Sequence, residues 1–142
     1  MKIEKYNNHQ ELIPFYVARG LEIEDEFENT PIFSLIMKDG DKMIGAVTCS
    51  QIDNNFVVEA IVIIEEHQKN GYGRELLEKA VNEIKNIGEG NIYLVAKNTT
   101  FFEKNDFEII DREEAPSFAF CFVCPQYQIK CFPQVMKYQG VK

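Results

Sequence analysis

The run Gln68-Lys69-Asn70-Gly71-Tyr72-Gly73 has the residue types of an anion-binding loop. Its glycines have no Cβ, so the backbone can approach a ligand closely. An amphipathic helix is predicted to follow over residues 74–87. The first N–H groups of a helix lack acceptors within the helix, and they carry the positive end of its dipole. The loop therefore predicts a phosphate site built mainly from backbone N–H groups.

Two common phosphate-binding motifs are excluded by the same residues. A dinucleotide fingerprint needs a further glycine where Leu76 stands. A Walker loop needs Gly-Lys-Ser/Thr, which the sequence lacks. The loop is therefore of another type, placed between a buried-looking strand over residues 56–64 and the predicted helix.

Glu59 is the second candidate for chemistry, because it is the one charged residue in the apolar run 56–64. Burying an ionised carboxylate without a partner is costly, so such a group is usually there for a reason. Burial also disfavours the charged form, so it would raise the pKa of the Glu59 carboxyl group towards the range that is useful for proton transfer. These properties suit a general base. The alternative is an edge position where the carboxylate reaches solvent or pairs with a lysine.

The elements that must position these groups alternate along the chain. Hydrophobic periodicity and turn residues predict strands over 3–6, 33–37, 43–50, 56–64, 91–96, 107–110 and 117–123. They predict helices over 10–21, 74–87 and 98–105. Asp39-Gly40 marks a hairpin between the second and third strands, and Gly88 marks the end of the second helix.

The composition predicts one globular domain over residues 1–142. The hydrophobic fraction is 45%, and no apolar run reaches the roughly 20 residues that cross a bilayer. Since the start of the chain also lacks a signal peptide, we expect a cytoplasmic location. The net charge of -8 would repel nucleic acids and anionic membranes, so we expect neither as a partner. It would favour cationic partners.

The pattern Gln-x-x-Gly-x-Gly between a strand and a helix resembles the acyl-CoA pyrophosphate loop of the GNAT superfamily of N-acyltransferases. A second segment, Phe101-Phe102-Glu103-Lys104-Asn105-Asp106-Phe107, is similar to the family's Phe-Tyr-Glu-Lys-x-Gly-Phe. The resemblance covers roughly residues 43–110. It implies an α+β (α/β three-layer) fold with a GNAT-like mixed, mostly antiparallel central sheet of about six to seven strands, flanked by helices.

The resemblance also implies a reaction and a set of binding residues. An acetyl or other acyl group would pass from acetyl-CoA to a primary amine of a small-molecule or peptidic acceptor by direct attack. Ile61 and Ile63 would flank the pantetheine arm of coenzyme A, and Asn98 and Phe102 would line the thioester end. The pyrophosphate and nearby 3'-phosphate would be held, mostly through backbone N–H groups, by Gln68, Lys69, Asn70, Gly71, Tyr72, Gly73 and Arg74.

The chain departs from the family pattern at three positions. Many members have a tyrosine that protonates the departing thiolate, and here Phe102 has no proton to give. Asp106 replaces a glycine, and the family glutamate usually lies about two residues before Glu59, where Val57 stands. These departures leave open a second function, a CoA-binding sensor or regulatory module with little turnover.

An acidic run follows the first predicted helix, in a region that borders the acceptor pocket in the family. Its members are Glu22, Glu24, Asp25, Glu26 and Glu28. A cationic acceptor would suit this run, and the alternative is a solvated charged face.

Contacts between last strands often make dimers in the family, so a homodimer is a further option.

Three cysteines cluster near the tail as Cys121, Cys124 and Cys131. In an intracellular protein this spacing suggests metal before disulfide, and Cys49 could complete a set of four zinc ligands. Neither histidine is nearby in sequence, so we expect small buried apolar residues and no metal. The tail resembles that of a bacterial GNAT subgroup with the same cysteine pattern. A metal-binding or thiol protein is therefore a third hypothesis.

Overall fold

The computed structural model describes residues 2–21, 23, 27, 29–68, 70–96, 99–111 and 134–139. Its sheet consists of β1 (Lys2–Lys5), β2 (Pro31–Asp39), β3 (Lys42–Ile52), β4 (Asn55–Ile63), β5 (Ile92–Ala96), β6 (Phe107–Ile110) and β7 (Gln134–Tyr138). The order across the sheet is β1-β2-β3-β4-β5-β7-β6. Every neighbouring pair is antiparallel except β4 and β5, which are parallel. The predicted mixed, mostly antiparallel sheet is confirmed.

Helices cover both faces of this sheet. The helices are α1 (Ile13–Val17), α2 (Tyr72–Ile87) and α3 (Thr100–Glu103), with short 3-10 turns at His9–Leu12 and Glu65–His67. The buried stripe of α2 is Leu76, Leu77, Ala80, Val81 and Ile84, and it packs with Val58 and Ile63 of β4 in the main core. On the opposite face, Leu12, Ile13 and Tyr16 pack with Ala60 and Val62 in a second core. The arrangement is three-layered, as predicted.

The first helix is shorter than the predicted 10–21. Pro14 has no N–H, so it cannot donate the helical bond to Gln10; instead the N–H of Ile13 bonds to the Gln10 carbonyl in a 3-10 turn. At the other end Gly20 has a φ of 98°, in the left-handed region that ends a helix. A five-residue helix results. Apolar spacing in the sequence predicts Leu12, Ile13, Tyr16, Val17 and Leu21 on one stripe, but Val17 is 45% exposed.

β4 has two irregularities that the alternation of its residues did not predict. Its register with β3 steps from Thr48↔Ala60 to Cys49↔Val58, which makes Glu59 the extra residue of a β-bulge. Its pairing with β5 is limited to Phe56↔Ile92 and Val57↔Tyr93, although β4 continues to Ile63 and β5 to Ala96. The two strands therefore separate beyond Val57, and an opening lies between them.

The last described strand, β7, was missed by the sequence analysis. It inserts between β5 and β6 and pairs antiparallel with both. The predicted strand 117–123 lies outside the described residues, and the predicted helix 98–105 is reduced to Thr100–Glu103 in the part that is described. No helix among the described residues is long and apolar enough to span a membrane.

Candidate active site

The anion cradle lies at the start of α2. Gly71 is the residue before the helix, with a φ of 83°, and its carbonyl accepts the first helical bond from Glu75 at 3.1 Å. The N–H groups of Tyr72, Gly73 and Arg74 precede that first bond, so the helix gives them no acceptor. Gly71 has no side chain that could cap them. The cradle therefore presents backbone donors at the positive end of a 16-residue helix.

Gly73 is held close to other parts of the structure. A Cβ added there would lie 3.2 Å from two ring atoms of Phe101 and 3.7 Å from Cγ1 of Ile63. Phe101 is 36% exposed and stacks edge-on to Phe102, with ring centroids 5.1 Å apart. Phe101 begins the segment 101–107 that resembles the family motif, but the sequence assigns it no binding role. It forms an aromatic wall between the cradle and the end of β4.

Gln68 anchors the loop to the end of β4. Its Nε2 donates a hydrogen bond of 2.8 Å to the carbonyl of Ile63. The side chain is thus used inside the protein, while the predicted contact with a phosphate relies on backbone N–H groups. Asn70 is exposed, and Lys69, also predicted at the pyrophosphate, lies outside the described residues.

The opening between β4 and β5 begins at the bulge and runs towards the cradle. Ile61 is half-buried and Ile63 is buried, and both pack into the α2-side core. Beyond Val57 the backbone of β4 has no ladder to β5, so an extended ligand arm could pair with it like an added strand. The predicted flanking role of Ile61 and Ile63 fits this opening and stays a prediction.

Glu59 lies half-buried at the bulge of β4. Its Oε2 accepts a hydrogen bond of 2.8 Å from Nδ2 of Asn29, a residue of the connection between α1 and β2. Sequence analysis did not predict Asn29, because no local pattern relates residues so far apart. Burial, and secondarily the charge of Glu59, raises the pKa of the neighbouring Cys49 thiol. Cys49 is therefore inert as a nucleophile.

The predicted thioester end is partly described. Phe102 is half-buried and packs edge-on to Phe107, with centroids 6.0 Å apart, so an aromatic side chain fills this position without a hydroxyl. Asn98 lies outside the described residues. Asp106 has a φ of 73°, which explains why the family has glycine there. Aspartate is among the few other residues that tolerate this conformation.

A buried chain of side-chain hydrogen bonds lies on the α1 face of the sheet. His9 Nδ1 and Ser34 Oγ are 2.7 Å apart, Ser34 Oγ and Thr48 Oγ1 2.8 Å, and Tyr16 OH and Thr48 Oγ1 2.8 Å. Burial raises the pKa of Tyr16 and lowers the pKa of His9. Alternation along β3 could have located Thr48 on this face, but not its partners.

An open cleft of about 470 Å³ lies on the same side as Asn29. Its lining combines carboxamides and a hydroxyl with apolar groups: Gln10, Phe27, Asn29, Thr30, Pro31, Gln51 and Ile52. Asn29 lines this cleft and also donates to Glu59, so one residue separates the cleft from the carboxylate. The five acidic residues predicted near the acceptor, from Glu22 to Glu28, lie outside the described residues.

A smaller groove of about 260 Å³ lies beside the cradle, between α2 and the end of α3. It is lined by residues including Arg74 and Lys104, together with Asp106. Arg74 is exposed, and its Nε donates to Oε1 of Glu78 at 2.9 Å. The groove thus places two cationic side chains, Arg74 and Lys104, and two carboxylates, Glu78 and Asp106, beside the cradle.

Metal chemistry has no support within the part of the chain that the structure describes. No group of three or more histidine, cysteine or acidic side chains there could hold a metal ion. Cys49, one of the four predicted candidates, is fully buried in the α2-side core. Cys121, Cys124 and Cys131 lie outside the described residues, so their use stays a prediction.

Comparison with known proteins supports one identity for this arrangement. The family model described as the acetyltransferase (GNAT) family matches residues 3–107. A search of curated proteins by sequence found no significant match.

Several solved structures share the fold. N-acetylglutamate synthase from Neisseria gonorrhoeae, solved with coenzyme A and N-acetyl-glutamate, gives a TM-score of 0.73 at 14% identity, covering 100% of this chain and 36% of that one. A GNAT family acetyltransferase from Staphylococcus aureus Mu50 gives 0.72 at 16% identity, covering 96% and 97%. One from Elizabethkingia anophelis with acetyl-CoA bound gives 0.63 at 16% identity, covering 98% and 97%. The chain spans about a third of the length of the synthase.

Proposed function

The chain belongs to the GNAT family of acetyltransferases, and from this premise we propose that it transfers the acetyl group of acetyl-CoA to a primary amine. The acceptor is a small molecule or a peptide. The amine attacks the thioester directly, so neither a cysteine nucleophile nor a catalytic triad is required.

The opening between β4 and β5, leading to the start of α2, is the observation that carries this proposal. On the β5 side, the β4 backbone beyond Val57 has no strand partner, and the N–H groups at the start of α2 follow soon after β4 in the chain. Gly73 lets the Phe101 ring pack closely beside the cradle, since a Cβ there would meet the ring at 3.2 Å. Acetyl-CoA has a phosphate-bearing end and an extended amide arm that suit these two parts.

The proposed roles follow the geometry. Backbone N–H groups of residues 71–74 bind the pyrophosphate, and Gln68 holds the loop against β4 through its bond to Ile63. Arg74 and Lys104 lie in the adjoining groove with Glu78 and Asp106, so a further phosphate there would have to draw Arg74 away from Glu78. The β4 backbone beyond the bulge pairs with the ligand arm, and one of its N–H groups stabilises the oxyanion of the attacked carbonyl.

Glu59 is the proposed general base. An alkyl ammonium has a pKa near ~10.4 and must lose a proton before it can attack. The open cleft that Asn29 lines is the proposed acceptor side. A half-buried carboxylate that is hydrogen-bonded to Asn29 is suited to accept that proton, directly or through water. Phe102 gives no proton to the thiolate, so solvent or the acceptor amine supplies it.

The test is a direct assay of the whole chain. Purified protein is incubated with acetyl-CoA and a panel of primary amines that includes polyamines, amino acids and short peptides. We expect free thiol release together with an acetylated product detected by mass spectrometry. Absence of both, with every amine in the panel, would contradict the proposal.

A CoA-binding sensor is the second candidate, favoured by the absence of a hydroxyl at Phe102. It predicts tight binding of acetyl-CoA without thiol release. Calorimetry of CoA binding, run beside the assay, separates the two functions. The third hypothesis, a cysteine-tail metal or thiol protein, rests on residues outside the described part of the chain; zinc retained without CoA binding would support it.

Three further parts of the proposal start from the sequence: a cationic acceptor, a homodimer and a cytoplasmic location. A cationic acceptor is suggested by the acidic run from Glu22 to Glu28, and its test is a higher KM for polyamines after Glu24→Gln and Asp25→Asn. A homodimer would use the edge formed by β6, where Ile109 is 40% exposed. Cytoplasmic location stays a prediction from the sequence.

A further inference from the structure

Asn29 links Glu59 to the acceptor-side cleft. Its Nδ2 donates a hydrogen bond of 2.8 Å to Glu59 Oε2, across 30 positions of sequence. Nearby Phe27 is buried edge-on against Tyr16, with ring centroids 6.1 Å apart. Asn29 also lines the cleft. One residue therefore contacts both the proposed base and the space from which an acceptor would approach.

The hydrogen-bonding properties of the Glu59 carboxylate determine which end of the Asn29 carboxamide faces it. An ionised carboxylate can only accept hydrogen bonds, so the NH₂ group of Asn29 faces Glu59. The remaining amide atom, Oδ1, is an acceptor. The Asn29 amide is a neutral donor, so it stabilises the charged carboxylate without neutralising it. A lysine at position 29 would instead cancel the negative charge.

We propose that Asn29 is a positioning residue that orients both Glu59 and the ammonium group of the acceptor. The inference rests on the proposed acetyl transfer with Glu59 as base. A primary ammonium has three N–H donors, so one can bind Asn29 Oδ1 while another faces the Glu59 carboxylate. The Asn29 amide thus fixes the direction in which the ammonium presents its proton.

Every proton and electron pair of the proposed transfer has a destination. One ammonium proton passes to a Glu59 oxygen, and the lone pair left on nitrogen forms the bond to the acetyl carbon. The carbon–sulfur bond breaks, and its electron pair leaves with the coenzyme A thiolate. A second nitrogen proton neutralises the thiolate, which gives an amide and a free thiol, and Glu59 returns its proton to water.

Two substitutions of Asn29 test whether it orients the Glu59 carboxylate or only packs beside it. Asn29→Ala removes the donor to Glu59, so the carboxyl should take up its proton more readily and its titration midpoint should rise by roughly one pH unit. Asn29→Asp keeps the shape but places two carboxyls within hydrogen-bond distance. Like charges so close share a proton, so a larger rise is expected. Asn86→Ala, on the exposed side of α2, is the control.

The experiment measures two quantities on the full chain. The first is the titration of the Glu59 carboxyl carbon, followed by NMR with Glu59→Gln to assign the signal. The second is kcat/KM against pH for the best amine of the panel. In Asn29→Ala we expect the acidic limb to move with the NMR midpoint and KM for the amine to rise roughly tenfold. Thermal unfolding checks that each variant folds.

Each outcome decides the inference. An unchanged NMR midpoint in both Asn29 variants would overturn it, whatever the activity. A moved midpoint with an unmoved pH profile would also overturn it, because Asn29 would then hold a carboxyl that is not the base. A wild-type protein without transfer activity contradicts the proposed function instead, and the NMR titration still reports on the Asn29–Glu59 contact.

Discussion

At the scale of single residues, the proton chemistry proposed for the site depends on Glu59. Glu59→Gln keeps an oxygen that can accept the Asn29 bond, so the local geometry should survive while the base is lost. We expect kcat/KM to fall by about 10²-fold or more and the acidic limb of its pH profile to disappear. Thiol release measured across pH checks this, with exposed Glu89→Gln as the matched control. Equal kinetics in wild type and Glu59→Gln would remove Glu59 from the mechanism.

Gly73 gives a residue-scale test of the cradle that does not depend on turnover. Its φ is not in the left-handed region and alanine favours helices, so Gly73→Ala should change the free energy of unfolding by less than about 1 kcal/mol. The new Cβ, however, would press on the Phe101 ring at 3.2 Å and narrow the passage to β4. We expect CoA affinity to fall about tenfold or more by calorimetry.

Gly71→Ala should give the opposite pattern. Gly71 has a φ of 83° and open space around its Cα, so alanine there costs about 1–2 kcal/mol of stability without filling the passage. If Gly73→Ala instead binds CoA as tightly as wild type, the ligand does not run past this glycine.

At the scale of elements, the hydrogen-bond chain on the α1 face ties the 3-10 turn at His9 and helix α1 to β2 and β3. Burial lowers the pKa of His9 below its ordinary value of 6.5. Well above pH 6.5 both folded and unfolded states hold a neutral imidazole. As the pH falls below that value, the unfolded state binds a proton first, so stability decreases until the lower native pKa is passed.

We therefore expect the free energy of unfolding to decrease between pH 7.5 and 5 more steeply in wild type than in His9→Gln. Denaturant unfolding at several pH values measures both slopes. Ser34→Ala tests the chain itself, because it removes the hydroxyl between His9 and Thr48 while leaving the histidine in place. Identical slopes in wild type and His9→Gln would show that His9 titrates alike in both states.

Elements defined by local pattern were predictable, and those defined by long-range pairing were not. The stripe of Leu76, Leu77 and Ala80 gave helix α2, and Asp39-Gly40 gave the β2–β3 hairpin, because neighbours along the chain determine both. The bulge at Glu59 depends on register with β3, and the opening depends on where β5 departs from β4. The Asn29–Glu59 contact joins residues 30 positions apart, so the hydrophobic periodicity of the sequence could not predict it.

At the scale of the whole molecule, the net charge of -8 sets the sign of the salt dependence of CoA binding. A negative protein repels an anionic ligand, while the N–H groups of the cradle attract it through local dipoles. Added salt screens the long-range repulsion over a Debye length of about 10 Å at 0.1 M, and it weakens the short-range contacts less. We expect CoA affinity to stay constant or rise between low and moderate salt, measured by calorimetry. Arg74→Ala, which removes a cationic side chain beside the cradle, should make the rise steeper. A steep loss of affinity with salt would mean that cationic side chains, and not the backbone of the loop at Gly71 to Gly73, hold the phosphates.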